Sequence, residues 1–227
     1  MTTPSKPPMP PRFFRVAARR TFYFLFGAYG TAALMLIWFE NSLIYPASRA
    51  DVGDWTAYAA LGGEEVEFRA EDGTRLHGWY LPHPQAKRVM LLAHGNGDNV
   101  ATAAGEAVWL RDALDASVFV SDYRGYGKSE GQPHEKGLYQ DGDAALRWLL
   151  ERAKVPASEV YLVGRSLGSG VVVDLGVKHQ VKGLLLICPF AEMPDPAANL
   201  FWFMPVRYLM SNRYPSYQKI GAFKGGV

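Results

Sequence analysis

The stretch VYLVGRSLGSG, Val160 to Gly170, carries the pattern that decides the fold. An apolar run typical of a buried strand leads into Gly-x-Ser-x-Gly, with Gly164 and Gly168 flanking the serine, and a helical stretch follows. This is the context of a nucleophile elbow, a turn so tight that only glycine fits two residues before and after the serine. It predicts Ser166 as a nucleophile, with the backbone N–H of Leu167 facing an oxyanion. The alternative is an ordinary glycine-rich turn whose serine caps the helix.

A second glycine-rich stretch, HGNG at 94–97, follows another predicted strand. It lies at the carboxyl edge of the sheet, where open α/β sheets bind their ligands. The backbone N–H of Asn96 is the second candidate oxyanion donor. His94 precedes the serine in the chain and is interpreted as structural rather than as a general base.

A third stretch, DYRGYGKSEG at 122–131, leaves the next strand at the same edge. Its glycines allow a sharp loop beside the pocket, and Tyr126 is a candidate for lining that pocket. Asp122 and Arg124 are interpreted as hydrogen-bond partners that fix the loop rather than as catalytic groups.

Strands alternate with helices along the body of the chain, which predicts an α/β fold. The expected architecture is a mostly parallel sheet with helices on both faces, begun by a hairpin that turns at Asp72-Gly73. The predicted strands are Glu64–Ala70, Arg75–Leu81, Arg88–Gly95, Ser117–Gly125, Val160–Gly164 and Val181–Phe190. The predicted helices are 100–114, 135–153 and 166–178. The residues from 191 to 220 show no strand pattern and are interpreted as a lid or a surface excursion, and GAFKGGV at the end fits neither a strand nor a helix cap.

The charge of the 227 residues is unevenly distributed. The net charge is +2, but the first twenty residues carry +5, which leaves −3 for the remainder. A mildly acidic body does not favour nucleic-acid binding, which needs a basic face on the folded domain. Cys188 is the only cysteine, so the sequence supports neither a disulfide framework nor a thiolate metal cluster. No cofactor or metal is implied.

Residues 21–39 contain no charged side chain and predict a transmembrane helix. As a helix they would span roughly 28 Å, close to the hydrocarbon thickness of a bilayer. Arginines precede this segment and Glu40 follows it, so the N-terminus is expected in the cytoplasm and the body on the non-cytoplasmic side. The alternatives are a cleaved signal peptide, whose apolar region is normally shorter, and a buried core helix. Residues 1–20 then form a basic, Pro-rich tail, and 40–63 a linker to the domain at 64–227.

The motifs HGNG, DYRGYGKSEG and GRSLGSG, in this order, resemble those of the α/β-hydrolase superfamily. The apolar N-terminal segment followed by LIYP is similar to the membrane-anchored serine hydrolases of that superfamily. The resemblance covers about residues 42–220. It implies Ser166 as nucleophile, Asn96 and Leu167 as backbone oxyanion donors, and an acyl-enzyme. It also implies an acid after a later strand and a histidine after the last one.

The sequence departs from that pattern after Phe190, because no histidine follows His179. Glu192 or Asp195 is a candidate acid, but the order Ser, acid, His is not completed. We therefore expect the catalytic acid and histidine beyond residue 227, which makes the chain a C-terminally truncated hydrolase that is inactive by itself. The other histidines each have an adequate structural interpretation: His77, His83, His94, His134 and His179.

The sequence thus predicts a membrane-anchored serine hydrolase that acts on a small-molecule or lipid-like acyl ester, thioester or amide. The alternative is a non-catalytic membrane-tethered binding module, or a decayed enzyme, that kept the elbow and lacks the base. A nucleotide-binding domain is disfavoured, because no Gly-Lys-Ser/Thr phosphate loop is present.

Overall fold

The computed structural model describes residues 12–46 and 52–227, and the side chains from residue 14 onward within these ranges. The chain divides into two compact units, one ending at Glu40 and the other running from Asn41 to Val227.

The first unit contains one long helix, α1 (Arg12–Trp38). Its segment Phe14–Trp38 is long and apolar enough to cross a membrane, on length and composition alone. The helix begins nine residues before the predicted span, so residues 12–20 of the predicted tail are helical. The reason is local: RFFRVAARR contains neither proline nor glycine, and nothing in it stops a helix. The remainder of the predicted tail, residues 1–11, lies outside the described residues.

The second unit is built on one sheet. Within the described residues its strands are β1 (Glu64–Arg69), β2 (Arg75–Leu81), β3 (Arg88–Ala93), β4 (Ala116–Ser121), β5 (Val160–Arg165) and β6 (Gly183–Ile187). They lie in the order β1-β2-β4-β3-β5-β6. The hairpin strand β2 pairs antiparallel with both β1 and β4, whereas β4, β3, β5 and β6 are parallel to one another. The predicted mostly parallel sheet is confirmed.

Helices cover both faces of this sheet, as predicted. One face packs against α4 (Ala104–Ala113), and the fully buried Trp79 lies in that core. The other face packs against α5 (Glu135–Ala153) and α6 (Leu167–His179). The central strand β4 is buried at every position, which explains its continuous apolar sequence.

The predicted linker at 40–63 contains two short helices, α2 (Glu40–Ile44) and α3 (Ala57–Ala60), and residues 47–51 lie outside the described residues. The stretch after β6 is irregular, as predicted. It holds α7 (Pro194–Leu200), α8 (Val206–Leu209) and α9 (Ser216–Lys219) and, within the described residues, no strand. Several of its aromatic side chains face solvent, and Trp202 is 82% exposed.

The last residues of the chain lie beside β6, although their own sequence shows no strand pattern. Gly226 forms a parallel bridge with Gly183, and the Leu184 N–H donates to the Gly226 carbonyl at 2.8 Å. Backbone pairing of this kind needs no alternation of side chains, so the sequence pattern does not predict it. Further along β6, Leu185 is exposed.

Candidate active site

Ser166 lies in the sharp turn between β5 and α6. Its φ of 50° and ψ of −112° fall in a region that residues other than glycine rarely adopt. The Ser166 N–H donates to Ile187 O at 2.9 Å, and Ser169 donates to Ser166 O from both its N–H and its hydroxyl. Ser166 makes no side-chain capping bond to α6, so the geometry is not that of a helix-capping serine. The surrounding hydrogen bonds hold a strained backbone at this position, as is common at functional sites.

Glycine is required on both sides of this turn. A Cβ atom on Gly164 would lie 2.4 Å from Val172 Cγ2 and 2.6 Å from Gly168 O. A Cβ atom on Gly168 would lie 2.0 Å from Ala93 O. Real Cβ atoms do not approach backbone oxygens this closely, so the two elbow glycines are fixed by sterics.

The two candidate oxyanion donors lie on neighbouring segments. Leu167 is the first residue of α6, where the backbone N–H has no partner within the helix and lies at the positive end of the helix dipole. Asn96 lies in the loop after β3, and this loop begins against the elbow: a Cβ on Gly95 would be 3.2 Å from Arg165 Nη1. The structure therefore brings the HGNG loop and the elbow together at the carboxyl edge of the sheet.

The side chain of Asn96 is held at both ends. Its Nδ2 donates to the carbonyl of Ile44, and its Oδ1 accepts a hydrogen bond from the hydroxyl of Tyr126. Tyr126 itself is fully buried, and burial raises the pKa of its hydroxyl well above the ordinary value. Tyr126, the candidate pocket residue, is thus buried and contacts the Asn96 loop through its hydroxyl.

His94 lies in the environment of a structural histidine. Its ring is fully buried against Tyr123, with ring centroids 4.5 Å apart. Because Nδ1 lies 2.9 Å from the Gly95 carbonyl, which only accepts, Nδ1 carries a proton. Nε2 has no hydrogen-bond partner within the described residues and lies 3.8 Å from Asp122 Oδ1. Burial lowers the pKa of His94, with the carboxylate of Asp122 acting in the opposite direction, and the lowered pKa favours the neutral ring.

The other histidines have partners away from Ser166. His77 is buried between Asp122 (3.1 Å) and Glu65 (2.9 Å). His179 contacts Asp143 at 2.7 Å, His134 contacts Gln132 O, and His83 accepts from the N–H of Gln85. Within the described residues, none of them forms a hydrogen bond with the hydroxyl of Ser166.

Both candidate acids are paired with arginines. Glu192 lies 3.1 Å from Arg213 Nη2, and Asp195 forms an ion pair with Arg207. Within the described residues, neither acid contacts a histidine.

The loop-fixing interpretation of Asp122 and Arg124 is confirmed. Asp122 is buried and accepts the N–H of Val100 at 2.9 Å as well as contacting His77. Arg124 is buried and binds both carboxylate oxygens of Asp141, the shortest contact being 2.8 Å, and its Nη1 also donates to Asp72. These charge-assisted bonds fix the loop after β4 to α5 and to the β1–β2 turn.

An apolar cavity of about 220 Å³ lies next to the first turn of α6. Its lining includes Ser169, Leu186, Phe190, Tyr217 and Ile220. These residues come from separate segments of the chain, so no local motif in the sequence points to them. The hydrogen bond between Ile44 and Asn96 was also not predicted. The sequence feature that lies at this position is the LIYP motif after the apolar segment.

Comparison with known proteins gives consistent matches. The family model described as serine aminopeptidase, S33, matches residues 84–221. An uncharacterized protein of Mycobacterium tuberculosis is 34% identical over 200 residues, covering 87% of this chain and 70% of that protein. The α/β hydrolase domain-containing protein WAV2 of Arabidopsis thaliana is 30% identical, covering 81% and 62%, and protein bem46 of Schizosaccharomyces pombe is 29% identical, covering 72% and 58%. The chain thus spans 58–70% of the length of these three relatives.

Solved structures share the fold. An α/β hydrolase from Vibrio vulnificus matches with a TM-score of 0.64 and 24% identity, covering 81% of this chain and 71% of that one. The Pyrococcus furiosus esterase Pf2001 matches with a TM-score of 0.56 and 22% identity, covering 77% and 68%. At these identities the likeness shows the fold.

Proposed function

Since the chain belongs to the serine aminopeptidase S33 family of α/β-hydrolases, we propose that it is a serine hydrolase that cleaves acyl esters, thioesters or amides through an acyl-enzyme on Ser166. The observation that carries this proposal is the strained backbone of Ser166, at φ 50° and ψ −112°, between two glycines that admit no side chain. A glycine-rich turn with no catalytic role would have no need to hold a serine in this conformation.

In the proposed mechanism the Ser166 hydroxyl attacks the acyl carbonyl while its proton passes to a general base. The carbonyl oxygen becomes an oxyanion, which the N–H groups of Asn96 and Leu167 stabilise. Collapse of the tetrahedral intermediate breaks the bond to the alcohol, thiol or amine, which leaves with the proton. Water then attacks the acyl-serine by the reverse sequence, releasing the acid and restoring the hydroxyl.

The five histidines of this chain do not supply the general base in this proposal. Those described here are engaged with Asp122, Asp143 and backbone groups rather than with Ser166. We therefore expect the 227-residue chain by itself to retain no more than the residual catalysis of its oxyanion hole.

We also propose that residues 21–39 anchor the protein in a bilayer, with the N-terminus in the cytoplasm. Support comes from the length and composition of the helix segment Phe14–Trp38, and from the arginines that precede residue 21 while Glu40 follows residue 39. A hydrolase attached to a bilayer would meet lipid-like acyl substrates there.

A fluorophosphonate probe tests the proposed nucleophile, since the serine oxygen displaces fluoride from phosphorus and becomes covalently labelled. The probe is applied to the protein in the membranes of its own host and to the purified 227-residue chain. We expect Ser166→Ala to abolish labelling of the host protein and Ser158→Ala, at an exposed serine, to retain it. If Ser166 has no general base within the 227 residues, the purified chain should be labelled only slowly. Equal labelling of the Ser166→Ala variant would refute the assignment.

The second candidate function is a membrane-tethered module that binds acyl chains without cleaving them. The observation that favours it is that no described histidine contacts Ser166 Oγ, together with the apolar cavity beside α6. In that case the host protein would bind a fluorescent fatty-acyl ester but would neither hydrolyse it nor react with the fluorophosphonate.

A further inference from the structure

The segment Asn41–Pro46 is attached to the loop that carries Asn96. The carbonyl of Ile44 accepts a hydrogen bond of 2.5 Å from Asn96 Nδ2, across 52 positions of sequence. On the other side, the hydroxyl of Tyr126 donates to Asn96 Oδ1 at 2.5 Å. The carboxamide of Asn96 therefore bridges two distant parts of the chain.

Tyr45 fixes the same segment to the body of the second unit. Its side chain is 4% exposed, and its hydroxyl lies 2.7 Å from Asn212 Oδ1 and 2.9 Å from the hydroxyl of Tyr214. Asn212 Oδ1 also accepts the N–H of Glu135 at 2.9 Å, while Asn212 Nδ2 donates to Asn41 Oδ1 at 2.9 Å. A buried polar network thus joins the segment to the beginning of α5 and to residues 212–214.

The loop around Asn96 needs such support. Asn96 is exposed and lies between Gly95 and Gly97, and Gly97 has a φ of +83°. The Asp98 N–H donates to the Gly95 carbonyl at 3.2 Å and closes the turn, and the side-chain bonds of Asn96 add a constraint on the peptides between those two residues. A displacement of about 1 Å at a catalytic group is enough to slow a reaction on the order of 100-fold.

We propose that Tyr45 is a positioning residue for the oxyanion loop. Its hydroxyl attaches Asn41–Pro46 to the body of the second unit. The Ile44 carbonyl is thereby kept in place to bind the Asn96 side chain, and this bond orients the Asn96 N–H. The effect of these contacts on catalysis rests on the proposed function, whereas their effect on the Asn96 loop is tested independently of it.

The first experiment measures amide hydrogen exchange of the 94–98 loop in the detergent-solubilised 227-residue chain. Tyr45→Phe removes the hydroxyl that contacts Asn212 and Tyr214 and keeps the ring. We expect exchange in the loop to accelerate about tenfold, the effect of losing roughly one buried hydrogen bond. The matched control is Ser117→Ala, which removes a buried hydroxyl that accepts the N–H of His83 at 3.1 Å and lies outside the network around Tyr45. Unchanged exchange in Tyr45→Phe, or equal acceleration in both variants, would overturn the proposal.

The second experiment measures fluorophosphonate labelling of the host-membrane protein over a range of probe concentrations. We expect Tyr45→Phe to lower the maximal labelling rate about tenfold, with an unchanged half-saturating concentration, because the defect lies in the oxyanion hole. Asn96→Asp, which cannot donate to Ile44, should have a similar effect, and the double variant should be no slower than either single one. Additive losses, or faster exchange with an unchanged labelling rate, would overturn the positioning role. If the unsubstituted protein is not labelled, the proposed function fails, and the exchange experiment alone decides whether Tyr45 holds the loop.

Discussion

The carbonyl oxygen of Ala93 lies 2.0 Å from the position that a Cβ atom on Gly168 would occupy. Ala93 is the last residue of β3, and Gly168 is in the first turn of α6. The strand that leads into the Asn96 loop and the helix that follows Ser166 are therefore in direct backbone contact. This contact holds the start of the Asn96 loop against the first turn of α6, which contains Leu167.

Gly168→Ala is expected to destabilise the second unit by about 1–3 kcal/mol or more, because the helix must move away from β3. The matched control is Gly105→Ala in α4, where a Cβ would meet nothing within 4 Å. There alanine should stabilise the helix by roughly 0.5–1 kcal/mol. Urea unfolding of both variants measures the difference, and similar stabilities would contradict the steric argument.

Ser166→Gly is expected to be more stable than Ser166→Ala by about 1–2 kcal/mol. Both substitutions remove the same hydroxyl, but only glycine adopts φ 50° and ψ −112° without strain. The free energies of unfolding of the two variants provide the measurement. An alanine variant as stable as the glycine variant would mean that little strain is stored at this turn.

The stability of the second unit is expected to fall as the pH is lowered through the range in which an unfolded histidine titrates. Burial lowers the pKa of His94 in the folded state, whereas in the unfolded chain it is about 6.5. Below that pH the unfolded state binds a proton that the folded state does not. Stability is therefore complete above about pH 7.5 and declines below about pH 6.5, by up to about 1.4 kcal/mol per pH unit.

Urea unfolding at a series of pH values between about 5 and about 8 tests this dependence. His94→Gln should flatten the curve, because it removes the group that titrates only in the unfolded state. Gln85→Ala, at an exposed residue with no titrating group on the turn after β2, is the control and should leave the curve as it is. An unaltered slope in His94→Gln would refute the assignment.

Gly30→Arg is expected to reduce membrane retention of the protein. An arginine near the centre of a spanning helix costs about 2.5–3.5 kcal/mol on insertion scales. Ser42→Arg, beyond the apolar segment, is the control and should have little effect. Carbonate extraction of host membranes measures the retained fraction, and the mass of the retained chain distinguishes an anchor from a cleaved signal peptide.

The sequence predicted the sheet and the elbow because both depend on local patterns. Continuous apolar runs such as Val160–Gly164 indicate strands buried on both faces, and Gly-x-Ser-x-Gly between strand and helix indicates the turn at Ser166. The hairpin turning at Asp72-Gly73 is also local.

What the sequence did not predict depends on contacts between distant residues. In the sheet, β4 lies between β2 and β3. This order is set by the crossover connections between strands and cannot be read from any single segment. The bond from the Asn96 side chain uses only the backbone carbonyl of Ile44, and the bridge between Gly183 and Gly226 is made by backbone groups, so neither contact leaves a recognisable pattern of side chains. Helix α1 begins at Arg12 rather than at the predicted residue 21, because the arginines that precede the uncharged segment are good helix formers and do not interrupt the helix.

Trp79 and Trp202 differ in solvent exposure, so the intrinsic tryptophan fluorescence of the protein reports on two different environments. Trp79 is at 0% exposure, with Trp55 and Tyr58 within 6.0 Å of its ring, whereas Trp202 is 82% exposed in the irregular stretch after β6. An indole in an apolar core emits at shorter wavelength than one in water, and an aqueous quencher such as iodide reaches only the second. Replacing Trp202 by phenylalanine therefore subtracts a red-shifted, quenchable component from the emission spectrum. Because Trp38 and Trp109 are also exposed, the difference between the spectra with and without Trp202 isolates the signal of that stretch.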